Sequence, residues 1–226
     1  MDIELMKKKA GEHAADLIES GMVVGIGTGS TVFYFIKRLI ERCKQGLDIQ
    51  AISSSHQSTE MIKKGGISLV DMNSLTSIDI VVDGADEVDF QKRMIKGGGG
   101  ALLREKIIAN ISKQMTVIVD ESKRVEKLGK CKLPVEILPF FHMGIISKIH
   151  LLGFKGKLRQ QGKQENYKTD NGNYIYDIEF NELRTNPEND HNRLIQIPGV
   201  IETGYFFNLA KHLIVGKEDG GLDIIK

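Results

Sequence analysis

Apolar runs alternate with amphipathic segments along the first half of the chain. The runs are short, rich in Val and Ile and bounded by turn residues, which is typical of buried strands. They predict strands within 22–27, 48–53, 67–70, 77–83 and 115–120, and helices within 5–18, 30–43, 57–64 and 97–112. This alternation predicts an α/β fold, in which a mostly parallel sheet carries helices on both faces.

The pattern changes after Pro134. Its order becomes strand, helix, strand, strand, helix, strand, which favours a small split βαβ, ferredoxin-like α+β domain. The last two apolar runs, 212–217 and 221–226, return to the first domain. We therefore expect a large α/β domain at 1–132 and 207–226 that carries the active site, and a small α+β domain at 133–206.

Composition narrows the classes of partner. The net charge of +1 provides no global field that would attract nucleic acid or an anionic membrane. No apolar run approaches the roughly 18–20 residues of a membrane span, and the charged, helix-like start does not resemble a signal peptide. Cys43 and Cys131 are far apart and form no metal-binding pair, which favours thiols in a reducing cytoplasm.

Three turns rich in glycine or acid follow predicted strands, at 25–31, 83–89 and 96–100. Ligands of such sheets bind at the carboxyl ends of the strands, so we expect these turns to contribute to one site.

The turn GIGTGST, residues 25–31, offers backbone N–H groups and the positive end of a helix to an anion. A nucleoside triphosphate loop is excluded because no lysine follows before Lys37. A dinucleotide fingerprint is excluded because Ser30 replaces its third glycine and the second strand ends in Ser53–Ser55 without an acid. The turn fits a single phosphate, although a tight turn that merely requires glycine is the alternative.

The acidic turn DGADEVD contains Asp83, Asp86, Glu87 and Asp89. Its spacing does not match a calcium loop, whereas a magnesium site stays open because magnesium needs few carboxylates. We favour acid–base work on a sugar by Asp83, at the end of a buried strand, and by Asp86. Glu87 and Asp89 are expected in a solvated turn.

In KGGGGALLREK, four consecutive glycines follow Lys96. Such a run weakens ordinary structure and is useful where backbone must approach a ligand closely. Glu105 then lies near the start of a helix. Burial in a pocket would raise the pKa of its carboxyl group and make it a better base at neutral pH. The alternative is a solvated helix face shared with Arg104 and Lys106.

Together these stretches resemble the type A ribose-5-phosphate isomerases. GIGTGST, SSS, DGADEVD, KGGGGALLREKIIA, DESKRVEKLGK, LPVEILP, TDNGNYIYDI and IPGVIETGYF are similar to the family's motifs in the family's order, over nearly the whole chain. The resemblance implies a cytoplasmic enzyme of the pentose phosphate pathway that interconverts ribose 5-phosphate and ribulose 5-phosphate without metal or organic cofactor. It also implies a homodimer or homotetramer.

The resemblance assigns residue roles by motif position. Glu105 becomes the base, and Asp83, Asp86 and Lys96 surround the sugar oxygens. The substrate-binding residues are Thr28, Gly29, Ser30, Thr31, Asp83, Gly84, Ala85, Asp86, Lys96, Gly97, Gly98, Gly99 and Lys123, the last at the phosphate end.

The chain departs from the family in a few places: His56 replaces a frequent acid, Gly100 lengthens the glycine run, and 155–173 is stretched, so that Arg159 aligns only loosely with a family arginine near the site entrance.

Rival functions are a sugar-phosphate sensor without enzymatic activity, an amino-sugar phosphate deaminase and a coenzyme A transferase. A sensor that regulates transcription would need a DNA-binding segment, and the first strand begins near Met22, leaving room for one helix. The pairing of the acidic turn with the glycine run argues against the two other enzymes.

Overall fold

A computed structural model describes residues 2–162 and 165–226, which form two compact units. The first unit runs through Ala85 and includes Arg104–Arg124 and Asn208–Lys226, and the second comprises Asp86–Leu103 and Val125–Phe207. Residues 86–103 and 125–132 therefore group with the second unit, whereas the sequence pattern assigns them to the large domain. Part of the stretched segment, residues 163 and 164, lies outside the described residues.

Helices and strands follow the alternation of apolar runs. The helices are α1 (Ile3–Asp16), α2 (Ser30–Lys44), α3 (His56–Lys64), α4 (Leu102–Ile111), α5 (His142–Leu151) and α6 (Pro187–Ile195). The strands are β1 (Val23–Ile26), β2 (Gln50–Ser53), β3 (Ser68–Leu69), β4 (Ile80–Asp83), β5 (Glu87–Val88), β6 (Met94–Ile95), β7 (Met115–Asp120), β8 (Leu133–Ile137), β9 (Lys155–Leu158), β10 (Gln160–Gln161), β11 (Glu165–Asn166), β12 (Tyr174–Glu179), β13 (Val200–Thr203), β14 (Tyr205–Phe206), β15 (Ala210–Gly216) and β16 (Leu222–Ile225).

The first unit contains a seven-stranded sheet in the order β16-β15-β7-β4-β1-β2-β3. All neighbouring pairs are parallel except β15 with β16, an antiparallel pair at one edge. The strands in the middle are buried, and their Val and Ile side chains pack under α1 and α2. The predicted α/β fold, with a mostly parallel sheet, is therefore confirmed.

The second unit contains a four-stranded antiparallel sheet in the order β13-β8-β12-β9. With α5 and α6 in the connections, this is the strand order of a split βαβ unit, and the predicted small α+β fold is confirmed. Its core includes Leu133, Ile149 and Tyr176, all buried. A three-stranded sheet, β14-β6-β5, was not expected from the sequence, because its strands are two residues long and show no alternation.

Among residues 2–162 and 165–226, no helix combines the length and the apolar character that crossing a bilayer requires.

Helix α1 packs closely on α2, the helix that follows the first glycine turn. A Cβ atom at Gly11 would lie 2.7 Å from the amide nitrogen of Phe35 and 2.9 Å from the carbonyl oxygen of Thr31, both backbone atoms of α2. Backbone cannot rotate aside, so only glycine permits this approach of the two helices.

We expect Gly11→Ala to lower the free energy of unfolding by about 1–2 kcal/mol, since overpacking outweighs the gain in helix propensity. Gly144→Ala in α5 is the control: there the Cβ would meet the ring of Phe141 at 2.3 Å, and that ring is exposed and can rotate away. Thermal melts of both variants test this. Equal midpoints for Gly11→Ala and the wild type would contradict the close packing.

Candidate active site

The carboxyl ends of β1, β2, β4 and β7 lie at one edge of the parallel sheet of the first unit. The turn that contains Thr28 follows β1, Asp83 ends β4, and the 3-10 turn Glu121–Lys123 follows β7. The order β7-β4-β1 makes β4 the central strand of these three, so the predicted site residues of this unit lie at neighbouring strand ends.

The Asp83 carboxylate is 1% exposed and is held by backbone. Its Oδ1 accepts the N–H of Thr28 at 3.1 Å and the N–H of Gly84 at 2.7 Å. A Cβ at Gly27 would lie 1.9 Å from that oxygen, so the carboxylate occupies the space that any other residue would fill. The first glycine turn therefore orients an acid as well as presenting amides.

The start of α2 leaves Gly29 and Ser30 exposed, while Thr31 is buried. Gly29 has φ of 114°, a conformation that favours glycine, and it brings the chain round to begin the helix. The hydroxyl of Thr28 points inward and lies 2.6 Å from Oγ of Ser55. The helix N-terminus at Ser30 can therefore receive an anion, and the hydroxyl of Thr28 serves the interior of the turn.

Glu105 lies in the first turn of α4 and is 3% exposed, whereas Arg104 and Lys106 on either side are partly exposed. Ile108, one turn further on, faces the sheet: a Cβ at Gly25 of β1 would meet its Cγ2 at 2.8 Å. Residues three apart share a helix face. Glu105 therefore points to the sheet side of α4, and the alternative of a solvated helix face is wrong.

The direction of α4 places Glu105 toward the carboxyl edge of the sheet. At the other end of the helix, the carbonyl of Ile111 accepts the N–H of Ile78, just before β4 begins. Six residues of helix rise about 9 Å, which separates Glu105 from the amino edge. The carboxyl edge also carries Lys123, which is partly exposed after β7.

In the second unit, Asp86 is bound by the glycine run. Its Oδ2 accepts the N–H of Gly98 at 2.7 Å, and a Cβ at Gly98 would lie 2.5 Å from Oδ1. This repeats the relation between Asp83 and Gly27: a carboxylate lies against backbone that has no side chain.

Lys96 is 2% exposed and precedes the run. Its N–H donates to the carbonyl of Gly204 at 2.8 Å, and its Nζ lies 5.4 Å from the ring centre of Phe206. Gly97 and Gly100 have φ of 101° and 85°, so both require glycine. Gly98 and Gly99 between them are exposed and reachable by a ligand.

The expectation for the two other acids of DGADEVD was wrong, because Glu87 and Asp89 are both buried. Glu87 accepts the N–H groups of Gly129 and Cys131, and Asp89 accepts those of Gln91 and Arg93. They stabilise the second unit internally. Within the described residues, no group of three or more His, Cys, Asp or Glu side chains is arranged to hold a metal ion.

Comparisons with known proteins agree with the motifs. The family described as ribose 5-phosphate isomerase A (phosphoriboisomerase A) matches residues 50–220. The chain is 48% identical over 219 residues to ribose-5-phosphate isomerase A of Protochlamydia amoebophila (strain UWE25), covering 97% of this chain and 94% of that protein. It is 46% identical over 220 residues to the protein of that name from Listeria innocua serovar 6a, covering 97% and 98%.

Two solved structures are similar over almost their whole length. A D-ribose-5-phosphate isomerase in complex with phospho-erythronic acid superimposes with a TM-score of 0.94 at 39% identity and covers 100% of both chains. Ribose 5-phosphate isomerase from Plasmodium falciparum has a TM-score of 0.94 at 35% identity and covers 99% of this chain and 98% of its own.

We expect Gly27→Ala to reduce kcat/KM for ribose 5-phosphate by about 10²-fold or more, because the new methyl group must displace the Asp83 carboxylate and small misplacements at a site cost about that much. Gly221→Ala is the control, since its Cβ would meet only the exposed end of Asp219. Steady-state isomerisation assays on both variants, with circular dichroism to verify folding, make the comparison. Wild-type kinetics in folded Gly27→Ala would remove Asp83 from the site.

Proposed function

The chain belongs to the ribose 5-phosphate isomerase A family, and we propose that Glu105 is the base in its interconversion of D-ribose 5-phosphate and D-ribulose 5-phosphate. In this reaction a proton moves between carbon 2 and carbon 1 of the open-chain sugar through an enediolate. The Glu105 carboxylate takes the proton from carbon 2 of the aldose and returns it to carbon 1 to give the ketose.

The observation that carries this proposal is the burial of Glu105 on the sheet side of α4, toward the carboxyl edge. Glutamate is mostly exposed in proteins, so a glutamate buried at this place is a candidate for a role in the reaction. Parallel sheets bind ligands at this edge. A positioned base typically contributes about 10²–10⁴ in rate.

Asp83 is the proposed acid–base group for opening the furanose ring, which must precede the proton transfer. Amides of Thr28 and Gly84 bind its Oδ1, so the carboxylate is oriented before substrate arrives. Preorganisation of this kind avoids a cost at the moment of reaction.

Charge that develops on the sugar oxygens requires donors, and we assign this role to Lys96, with Asp86 as a contact to the sugar hydroxyls. One positioned donor can be worth about 10²–10³ in rate. The glycine run contributes less through its amides than its sequence suggests: the N–H of Gly98 donates to Asp86, and that of Gly100 to the carbonyl of Gly97. The glycine run instead orients Asp86 and leaves room for the substrate to approach the backbone.

The phosphate is assigned to Lys123 and to the start of α2 at Ser30. An ammonium group is a suitable point charge for phosphate, and the positive end of a 15-residue helix adds to it. Binding energy from the phosphate then serves to hold the reacting carbons in place.

We also propose a homodimer in the cytoplasm. Phe140 and Phe141, at the start of α5, are 86% and 75% exposed, which is unusual for a surface without a partner. Cys43 and Cys131 form no disulfide. Light scattering should give twice the mass of one chain, and cell fractionation should recover the protein with cytoplasmic enzymes. The mass of a single chain, or recovery in another fraction, would contradict the corresponding part.

Replacing the base tests the central assignment. Glu105→Gln should fold and bind ribose 5-phosphate, measured by calorimetry, yet lose about 10²–10⁴ of kcat because the amide cannot accept the proton. Glu136→Gln is the matched control, since Glu136 is also fully buried but lies on β8 and accepts hydrogen bonds from Thr169 and Asn173. The Glu136→Gln variant should be less stable than the wild type but keep a kcat within about fivefold of the wild-type value. Comparable turnover in Glu105→Gln and the wild type would exclude Glu105 as the base.

An isomerisation assay in heavy water distinguishes an enzyme from a sugar-phosphate sensor. Wild-type protein should produce ribulose 5-phosphate with solvent deuterium at carbon 1, seen by NMR, at the same rate with and without EDTA. Binding without product would support a sensor.

A further inference from the structure

The Arg159 side chain binds the glycine run from the second unit's own sheet. It lies just after β9, and its Nη1 donates to the carbonyl of Gly97 at 3.0 Å and to the carbonyl of Gly98 at 3.1 Å. The other edge of the guanidinium forms a two-point pair with Asp177, with Nε at 2.9 Å and Nη2 at 2.6 Å from the carboxylate oxygens. The Arg159 side chain thus connects the glycine run to strand β12 through hydrogen bonds.

This arrangement fixes the guanidinium in place. The side chains of Arg159 and Asp177 are 17% and 14% exposed, so the pair is shielded from solvent. The ring of Tyr167 lies 5.7 Å from the guanidinium carbon. The Tyr167 hydroxyl donates toward the carbonyl of Gly99 at 3.5 Å, and burial raises the pKa of this phenol. The donors of a lysine radiate from a single nitrogen, whereas the planar guanidinium of Arg159 places donors on two edges and so binds the carbonyls on one side and the carboxylate on the other.

The peptide group between Gly97 and Gly98 connects Arg159 to Asp86. Its carbonyl, on Gly97, accepts from Arg159, while its N–H, on Gly98, donates to Oδ2 of Asp86. No peptide bond of the described residues is cis. In a planar trans peptide the carbonyl and the N–H point in opposite directions, so fixing one fixes the other. Arg159, together with the N–H of Gly100 that binds the same carbonyl, therefore fixes the direction of the N–H that binds Asp86.

The glycine run needs such hydrogen bonds because its backbone is unusually free. Gly97 and Gly100 adopt left-handed conformations, and a glycine run has more backbone freedom than any other sequence. Without Arg159, the Gly97 carbonyl keeps only the N–H of Gly100, a donor within the glycine run itself, and the direction of the N–H that binds Asp86 is less tightly fixed. We propose that Arg159 is a positioning residue for catalysis, acting through the Gly97–Gly98 peptide on the carboxylate of Asp86. The inference rests on the proposed role of Asp86 in the isomerase site.

The chain offers a matched control in Arg184, which also belongs to the second unit. It forms the same kind of two-point pair, with Asp190 at 2.6 and 2.9 Å, and lies over the ring of Phe180 at 5.0 Å. Nothing ties the Arg184 guanidinium to the glycine run in the hydrogen bonds of the described residues. Replacing Arg184 therefore shows how much the removal of a paired, stacked arginine lowers the stability of the fold, without any effect through the glycine run.

The test is a double-mutant cycle on kcat/KM for ribose 5-phosphate, with Arg159→Met, Asp86→Asn and the combination. Methionine keeps an apolar stem near Tyr167 and removes every donor. We expect Arg159→Met to lower kcat/KM about 10²-fold. When Asp86 is already Asn, the same change should lower kcat/KM less than about threefold, because the carboxylate that Arg159 positions is gone. Arg184→Met should lose the same small factor in both backgrounds. Free guanidinium should restore part of the activity of Arg159→Ala, and ammonium should not.

An equal loss from Arg159→Met in both backgrounds, or a loss no larger than that from Arg184→Met, would overturn the positioning role. Should Arg159→Met not fold, Arg159→Lys replaces it in the same cycle, with a smaller loss that must again disappear with Asp86→Asn. Failure of the proposed role of Asp86 is distinguishable, since Asp86→Asn alone would then keep the kcat/KM of the wild type.

Discussion

The proposed site depends on two carboxylates that each lie directly against the backbone of a glycine. Asp83 occupies the volume of a missing side chain at Gly27, and Asp86 does so at Gly98. An ionised carboxylate that leaves water needs donors, and each acid finds them in amides of a glycine turn. Because these donors belong to the backbone, the path of the chain fixes where each acid finds them. The glycines are as specific a requirement as the acids.

The path of the chain is in turn set by the sheet of the first unit. Parallel strands β1, β4 and β7 end at one edge, so the turns after them come together there. The crossover helix α4 must run back from that edge to begin the next strand, which places its first turn, with Glu105, where the strands end. Burial of apolar strands thus positions polar groups that contribute nothing to the core.

The period of apolar residues predicted most strands and helices of the fold, because burial of a sheet face or helix face leaves a direct trace in the sequence. It predicted less of the site. The four acids of DGADEVD look alike in the sequence, yet Glu87 is structural because amides of Gly129 and Cys131, some 40 residues away, bind it. The contact of Arg159 with the glycine run spans 62 residues and has no local signature. Long-range hydrogen bonds decide such roles, and periodicity does not record them.

Glu105 shows where local signals and tertiary structure meet. Its neighbours Arg104 and Lys106 suggest a surface, but they point to other faces of the helix, whereas Ile108 and Ala109, three and four residues later, are buried. The relevant pattern for Glu105 is therefore a stripe of apolar positions interrupted by one acid. A charged side chain exposed to water costs little free energy, whereas a buried charge costs several kcal/mol unless partners in the protein compensate for the lost water. We propose that this acid serves the reaction because it interrupts the stripe at the end of α4 that lies toward the carboxyl edge of the sheet, where parallel sheets bind ligands.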